Sequence, residues 1–414
     1  MVYYHTYIKA MQKSPLDRYE EVVIDALRFC SAKLRKSFIT AFIQMIILYM
    51  VIPRKINFTR MGRYRDSCEQ RFRQLFEREF DWLEFNMAVM KMRFSEIRRK
   101  AIAIDAGYIS KAGKKTPYIG KFWSGCASMA KRGLEILGIG IVDIDAHDCM
   151  MLRAEQTPGK ERMAELGDGF GLVEWYLHVL RKYRERLLSI TMYIVADAWF
   201  SKASFVNEAC AMGFHVISRL RDDAALWYSH DGVRTGKRGR PRVKGERIDF
   251  NNLDMSRCEA LAIDGGMAFA INAYSKAMKR NIRIVVHYPL SGGHKIYFST
   301  DLSMSAKDII EYYRTRFQIE FCFRDSKQFT GLTHCQARDL RKLDFAFNAS
   351  LASVNIAKVV RIRYYPNLSI GLLKHSMCNI YMLKRILARF GIRPNRTLNA
   401  KLVKELFGLV ADAA

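Results

Sequence analysis

Two apolar runs end in an aspartate. Ala101 to Ile104 leads into Asp105-Ala106-Gly107, and Met192 to Ala196 leads into Asp197-Ala198. Buried central strands deliver such residues to the edge of a sheet, where adjacent strand tips set two carboxylates side by side. Carboxylates so placed repel one another unless a cation neutralises them, and hard divalent cations take oxygen ligands. Taken singly, an aspartate after a strand is more often a turn or cap residue.

A third piece lies far downstream. Tyr313, Arg316, Glu320 and Lys327 follow one another at spacings of 3, 4 and 7 residues. In a helix turning about 100° per residue they fall within an arc of about 60°. One face then carries a carboxylate between two cations, beside a phenol. The bland alternative is a solvated face with an Arg316 to Glu320 ion pair at i,i+4.

The run from Tyr313 to Lys327 matches Tyr-x2-Arg-x3-Glu-x6-Lys at every position. That pattern is the hallmark of bacterial insertion-sequence transposases of the DDE class, and on it the chain resembles the fourth insertion-sequence family and its relatives. The likeness covers approximately residues 100–360, with the two aspartate sites, a β-rich stretch and the helical motif in the family's order. It implies a ribonuclease H-like α/β catalytic core interrupted by a β insertion between the second aspartate and the glutamate. The separations, 92 residues from Asp105 to Asp197 and 123 from there to Glu320, leave room for that insertion.

The resemblance also implies roles. Asp105, Asp197 and Glu320 become the catalytic and metal-binding triad, and Tyr313, Arg316 and Lys327 become contacts to phosphates near the transposon end. Arg219, closing Val216-Ile-Ser-Arg219 on the strand after the second aspartate, also faces DNA. The implied cofactor is a pair of Mg2+ ions, with Mn2+ able to substitute. The implied partner is double-stranded DNA, both element ends and target, held by a homodimer in a synaptic complex. The chain departs from the family in following Asp197 with Ala198-Trp199-Phe200, where the family has a looser pattern ending in one aromatic. The chemistry is coherent: in-line attack on a phosphodiester is promoted by two divalent ions, and an arginine can grip phosphate oxygens with two prongs.

The elements that must position these residues are legible as changes of texture. Residues 16–50 and 66–100 show helical spacing, for example Val22, Ala26 and Phe29, so residues 1–99 are expected to form a helical domain that binds DNA ends. Short β-type runs follow at Ala101 to Ile104, Leu134 to Ile144, Cys149 to Arg153 and Met192 to Ala196, with a helix from about Gly171 to Leu188 between the last two. A helix around Ala203 to Met212 and a run at Phe214 to Ser218 extend the alternation, so residues 100–224 form the first part of the catalytic core. Residues 225–303 break it, with strand-like Met267 to Ala273, Ile282 to Tyr288 and Lys295 to Ser299 forming a mainly β insertion. Helix returns with Ser305 as N-cap. Residues 304–360 complete the core, and residues 361–414 form a helical basic C-terminal region.

A separate motif sits in the insertion. Gly236 to Gly245 contains Arg238-Gly239-Arg240-Pro241-Arg242, which resembles an AT-hook. Slim, extended backbone lets such arginines enter a narrow, electronegative minor groove, and a solvated basic loop is the equal alternative.

Composition bounds the partner. The formal charge is +27 with 50% hydrophobic residues, so a folded core with a field favouring polyanions is expected. The excess is spread out: residues 1–100 hold 20 basic against 11 acidic side chains, and residues 361–414 hold ten against two. Nine scattered cysteines without a Cys-x-x-Cys pair argue against a disulfide framework or a zinc ribbon. The apolar stretch from Thr40 to Pro53 is shorter than the span of about 20 residues a bilayer requires, and no signal-peptide pattern precedes it. A cytoplasmic, nucleoid-associated protein without membrane contact is expected. Asp143 and Asp145 alternate as on the exposed face of a hairpin strand. Two rivals stand beside transposition: a silent, domesticated DNA-binding protein, and a nuclease of the same fold that does not join strands.

Overall fold

A computed structural model describes residues 13–30, 34–65, 67–94, 99–230 and 244–391; the loop bearing Arg238, Arg240 and Arg242 lies outside them. Helices come first: α1 (Pro15–Arg28), α2 (Lys36–Val51), α3 (Phe58–Arg65), α4 (Glu69–Leu75) and α5 (Trp82–Arg93). The chain enters α1 through a capping box, in which Ser14 and Asp17 each satisfy the other's backbone N–H, with Pro15 in the first turn where no donor is needed. Helix α2 is the apolar stretch noted above, and Met45 to Val51 are all buried. Among the described residues no helix is long and apolar enough to cross a membrane.

Strands β1 (Lys100–Ser110), β2 (Gly120–Ser124), β3 (Met129–Asp143) and β4 (Asp148–Thr157) form antiparallel neighbours about β3. After α6 (Lys160–Ala164) and α7 (Leu172–Leu188), β5 (Tyr193–Ala196) lies parallel to β1, and beyond α8 (Ala203–Ala211), β6 (His215–Leu220) lies parallel to β5. The spatial order β4-β3-β1-β5-β6, with helical crossovers before β5 and β6, is the ribonuclease H-like arrangement expected from the sequence.

The insertion does not stand apart. Its strands are β7 (Leu226–Ser229), β8 (Lys244–Arg247), β9 (Glu259–Ile263), β10 (Gly266–Ser275), β11 (Arg280–Pro289) and β12 (Lys295–Ser299). Strand β12 pairs antiparallel with β6, as in Phe298 opposite Ser218, so the insertion prolongs the core sheet. The chain then forms α9 (Ala306–Thr315), capped by Ser305 as expected, α10 (Gln318–Phe329), α11 (Leu340–Tyr364) and α12 (Ile370–Arg389).

Helix α11 runs buried from Phe345 to Val360 and covers the edge strand β4. An edge strand presents unpaired backbone groups, and here asparagine side chains take them. Asn348 accepts from the Ala154 N–H at 2.9 Å and donates to its carbonyl at 3.0 Å. Asn355 does the same for Met151, at 3.1 and 2.6 Å. Seven helical residues rise about 10.5 Å and three extended residues about 10 Å, which matches the two spacings. Strand positions three apart face the same way only because the register shifts here, Arg153 opposing Ile139 while Met151 opposes Gly140. The carbonyl of the extra residue, Leu152, accepts from Asn86 of α5 at 3.0 Å. The N-terminal helices thereby share one continuous core with the sheet and α11.

Candidate active site

Alternation along β1 and β5 decides which way the two aspartates point. Ile102 and Ile104 belong to the core on one face of the sheet, with Ile194 and Ala196. Ala101, Ala103 and Val195 belong to the other face, beneath α9 and α10. Asp105 and Asp197 continue the second series, so both point toward the helices that carry the downstream motif. The parallel register pairs Ile104 with Ala196, which makes the two aspartates next neighbours across adjacent strands.

Helix α10 lies down on β1 and β3 because those strands lack side chains beneath it. A β-carbon on Gly107 would sit 3.1 Å from the Phe323 ring, and one on Gly138, directly opposite Asp105, only 2.5 Å from it. Phe323, one turn beyond Glu320, fills the space over Gly107 and shares that over Gly138 with Met151, whose Cε would lie equally close at 2.5 Å. Glycines inside a strand commonly mark such a close approach, and the run Leu137-Gly138-Ile139-Gly140 is the signal by which sequence reasoning could have found it. It also missed a buried pair on the far side of Asp105, where the Tyr176 hydroxyl donates to Glu135 at 2.6 Å and the Tyr176 ring meets Trp199 and Phe200 edge-on and tilted.

The downstream motif does not lie on one uninterrupted helix, which corrects the expectation of a single face. Helix α9 ends at Thr315 and α10 begins at Gln318. Arg316 and Phe317 keep right-handed dihedrals, but Phe317, Ile319 and Glu320 donate to the carbonyl three residues back. Two residues of this tighter winding add about 40° of rotation. Helical periodicity alone does not reveal it, because the backbone barely departs from helix. Arg316 still reaches Glu320 at 3.2 Å and stacks loosely toward the Tyr313 ring, 5.8 Å from its centroid.

The electrostatics gather the same groups. Burial pushes the Asp105 carboxyl up to about 7; the Arg316 guanidinium opposes the shift, and the Asp197 and Glu320 carboxylates add to it. Burial lowers the Lys327 ammonium from its usual value, against the opposing pull of the Cys126 thiol and Asp105. Burial raises the Tyr313 phenol, with Arg316 and Arg219 opposing and Asp197 reinforcing. All seven sequence candidates within the described residues, Asp105, Asp197, Glu320, Tyr313, Arg316, Lys327 and Arg219, therefore share one neighbourhood. The Nε atoms of Arg219 and Arg316 are buried there without a hydrogen-bond partner, an arrangement an anion would complete.

Each carboxylate has a local partner. Asp105 accepts from the Ala106 N–H and Asp197 from the Trp199 N–H, both at 3.0 Å, while Glu320 holds Arg316. Among the described residues no group of three or more His, Cys, Asp or Glu side chains is drawn closely enough to hold a metal ion as it stands. The donor chemistry nevertheless fits a hard divalent cation, since all three groups offer oxygen and their mutual repulsion weighs on Asp105.

Asp143 and Asp145 are elsewhere; Asp145 is exposed as expected, and Asp143 is not. Strand β3 ends at Asp143, which is buried and accepts from the Asp145 and Ala146 N–H groups in the turn. Asp145 pairs with Arg99 at 2.5 Å. Turn capping, rather than alternation, sets the Asp143 side chain, while the ion pair with Arg99 holds that of Asp145.

Residues 172–356 match the family model described as a transposase DDE domain. The matched span contains Asp197, Glu320 and the Tyr313 to Lys327 motif, and begins after Asp105. No curated protein matches the chain.

Proposed function

We propose, for a chain that carries a transposase DDE domain, that it cuts DNA at the ends of an insertion sequence of the fourth family's kind and transfers the freed strand into a target. The observation that carries this is the adjacency of Asp105 and Asp197 on neighbouring parallel strands, both directed at the helix bearing Glu320. Asp105, Asp197 and Glu320 would hold two Mg2+ ions, for which Mn2+ can substitute. Such ions, when bound, activate the attacking oxygen and stabilise the leaving one.

The protein's own groups do the rest. Glu320 must leave Arg316 to join the aspartates, and Arg316 is then free to turn its guanidinium, including the unpaired Nε, toward a phosphate. Arg219 and Lys327 flank the same space and would hold the strand in line. Tyr313 would pack against the backbone between them. The helical region 1–99 would bind the element end, the loop with Arg238, Arg240 and Arg242 an adjacent minor groove, and two copies would pair the ends. Incubating the protein with a plasmid carrying its own flanking sequences tests this: end-specific cuts and joined products should form with Mg2+ or Mn2+ and vanish with EDTA. Degradation without regard to the ends would favour a nuclease, and binding without any cut a silent descendant.

A further inference from the structure

From Ala106 to Leu134 the chain has six lysines and arginines and no acidic residue, and much of this stretch is the β2–β3 hairpin. Its pairing sorts the side chains. Lys121 opposes Arg132 and Trp123 opposes Ala130 on one face, while Phe122, buried, and Lys131 share the other. Trp123 is 63% exposed, the most of any tryptophan among the described residues. Ala130 opposite it is too small to cover the indole, so a flat ring lies open beside two cations, two pairs along the ladder on the same face.

An open indole in a wholly basic hairpin costs exposed apolar area, which a polyanion bearing flat rings would cover. The hairpin continues β1 and β3, the strands on which Asp105 and Gly138 sit, and Lys327 senses both Asp105 and the turn at Cys126. The hairpin is therefore continuous with the carboxylate edge. Resting on the reading of that edge as a DNA-processing site, we propose that the outer face of the hairpin is a stacking platform: Trp123 takes an unpaired nucleobase of the DNA strand leaving the carboxylates, and Lys121 and Arg132 take its phosphates.

The experiment uses the full chain, EDTA and a fluorescein-labelled oligothymidylate, with binding followed by anisotropy across a salt series. Trp123→Ala should weaken binding about tenfold with an unchanged salt slope, and Trp123→Phe should retain most of the affinity, because any aromatic face can stack. Lys121→Ala with Arg132→Ala should lower the log–log slope by about 1.4, at roughly 0.7 per phosphate contact on a single strand. Melting temperatures should not move, since all three side chains are exposed. Unchanged affinity in Trp123→Ala, or an equal loss in Trp123→Phe, would overturn the proposal. So would a change of oligomeric state in Trp123→Ala at constant affinity, which would make the face a contact between copies. Cleavage plays no part in this assay, so a wild-type chain that binds but never cuts contradicts the proposed activity alone.

Discussion

The ring of Phe323 lies 2.5 Å from where a β-carbon on Gly138 would stand, and Gly138 is the residue directly opposite Asp105. One missing side chain on the sheet thus sets the height of the helix that carries Glu320 over the strand that carries Asp105. Gly138→Ala should displace both the Phe323 ring and the Met151 terminus, cost about 1–3 kcal/mol of stability as an overpacked core does, and depress DNA cleavage. Adding Phe323→Leu should restore part of both, read by thermal melting and an end-cleavage assay. A silent Gly138→Ala would show that helix height does not matter.

Asn348 and Asn355 each hold a donor and an acceptor of the edge strand β4. Replacing either with alanine leaves both groups buried and unpaired, which should cost about 2–3 kcal/mol. Urea unfolding checks this, with leucine as the control: it fills space but cannot bond, and should not rescue.

Burial pulls the Lys374 ammonium down to about 8, with the Cys378 thiol opposing, although Nζ donates to the Tyr49 carbonyl at 2.8 Å. An unfolded lysine titrates near 10.4. Between those values the unfolded chain binds the proton and the folded chain does not, so stability rises with pH across that window. Lys374→Met should remove a climb of about 2–3 kcal/mol. The wild-type minus variant difference, from urea unfolding at pH 7.5 and pH 10, isolates this from the thiols and phenols that titrate nearby; equal differences at the two pH values would refute it.

Arg316 is tied to Glu320, and its Nε is unpaired. If the guanidinium grips a phosphate during the reaction, Arg316→Lys should lose cleavage, because a point charge cannot reproduce a two-pronged grip. Lys327→Ala should flatten the salt dependence of duplex binding by about 0.9 on a log–log slope. If Arg316 serves only as a strut for Glu320, Arg316→Lys should be nearly silent and Arg316→Ala should lower the melting temperature with the slope unchanged.

What could be read from residues alone was whatever local pattern dictates. The apolar run Lys295 to Ser299 is a strand with those bounds, and Ser305 caps its helix. Asp197 was legible as a strand tip because a short apolar run precedes it. Asp105 was misread as one, since β1 runs on through it to Ser110 and only the pairing with β5 ends at Ile104, but alternation fixes the direction of both. Long-range pairing was not legible: nothing in Lys295 to Ser299 says that it joins β6 and turns the insertion into more of the same sheet. The break at Arg316 was hidden because its dihedrals remain helical. Asp143 was misjudged because a turn hydrogen bond, not strand alternation, decides its exposure. The vacancy at Gly138 was visible as a glycine in a strand, but the ring 185 positions downstream that shares it with Met151 was not.

The most direct measurement is divalent-dependent cleavage of end-bearing DNA by Asp105→Asn, Asp197→Asn and Glu320→Gln, beside Asp143→Asn and Asp145→Asn. Asp105 matters most among them, since it lies before the segment that matches the transposase domain and joins the site through strand register alone. Each of the first three should abolish cleavage while DNA binding and melting temperature stay near wild type, because each removes an oxygen ligand and little structure. The two turn variants should still cut. A triad variant that cuts as well as wild type would remove that residue from the site, and near wild-type cleavage by Asp105→Asn would contradict the assembly of the site at the β1–β5 edge.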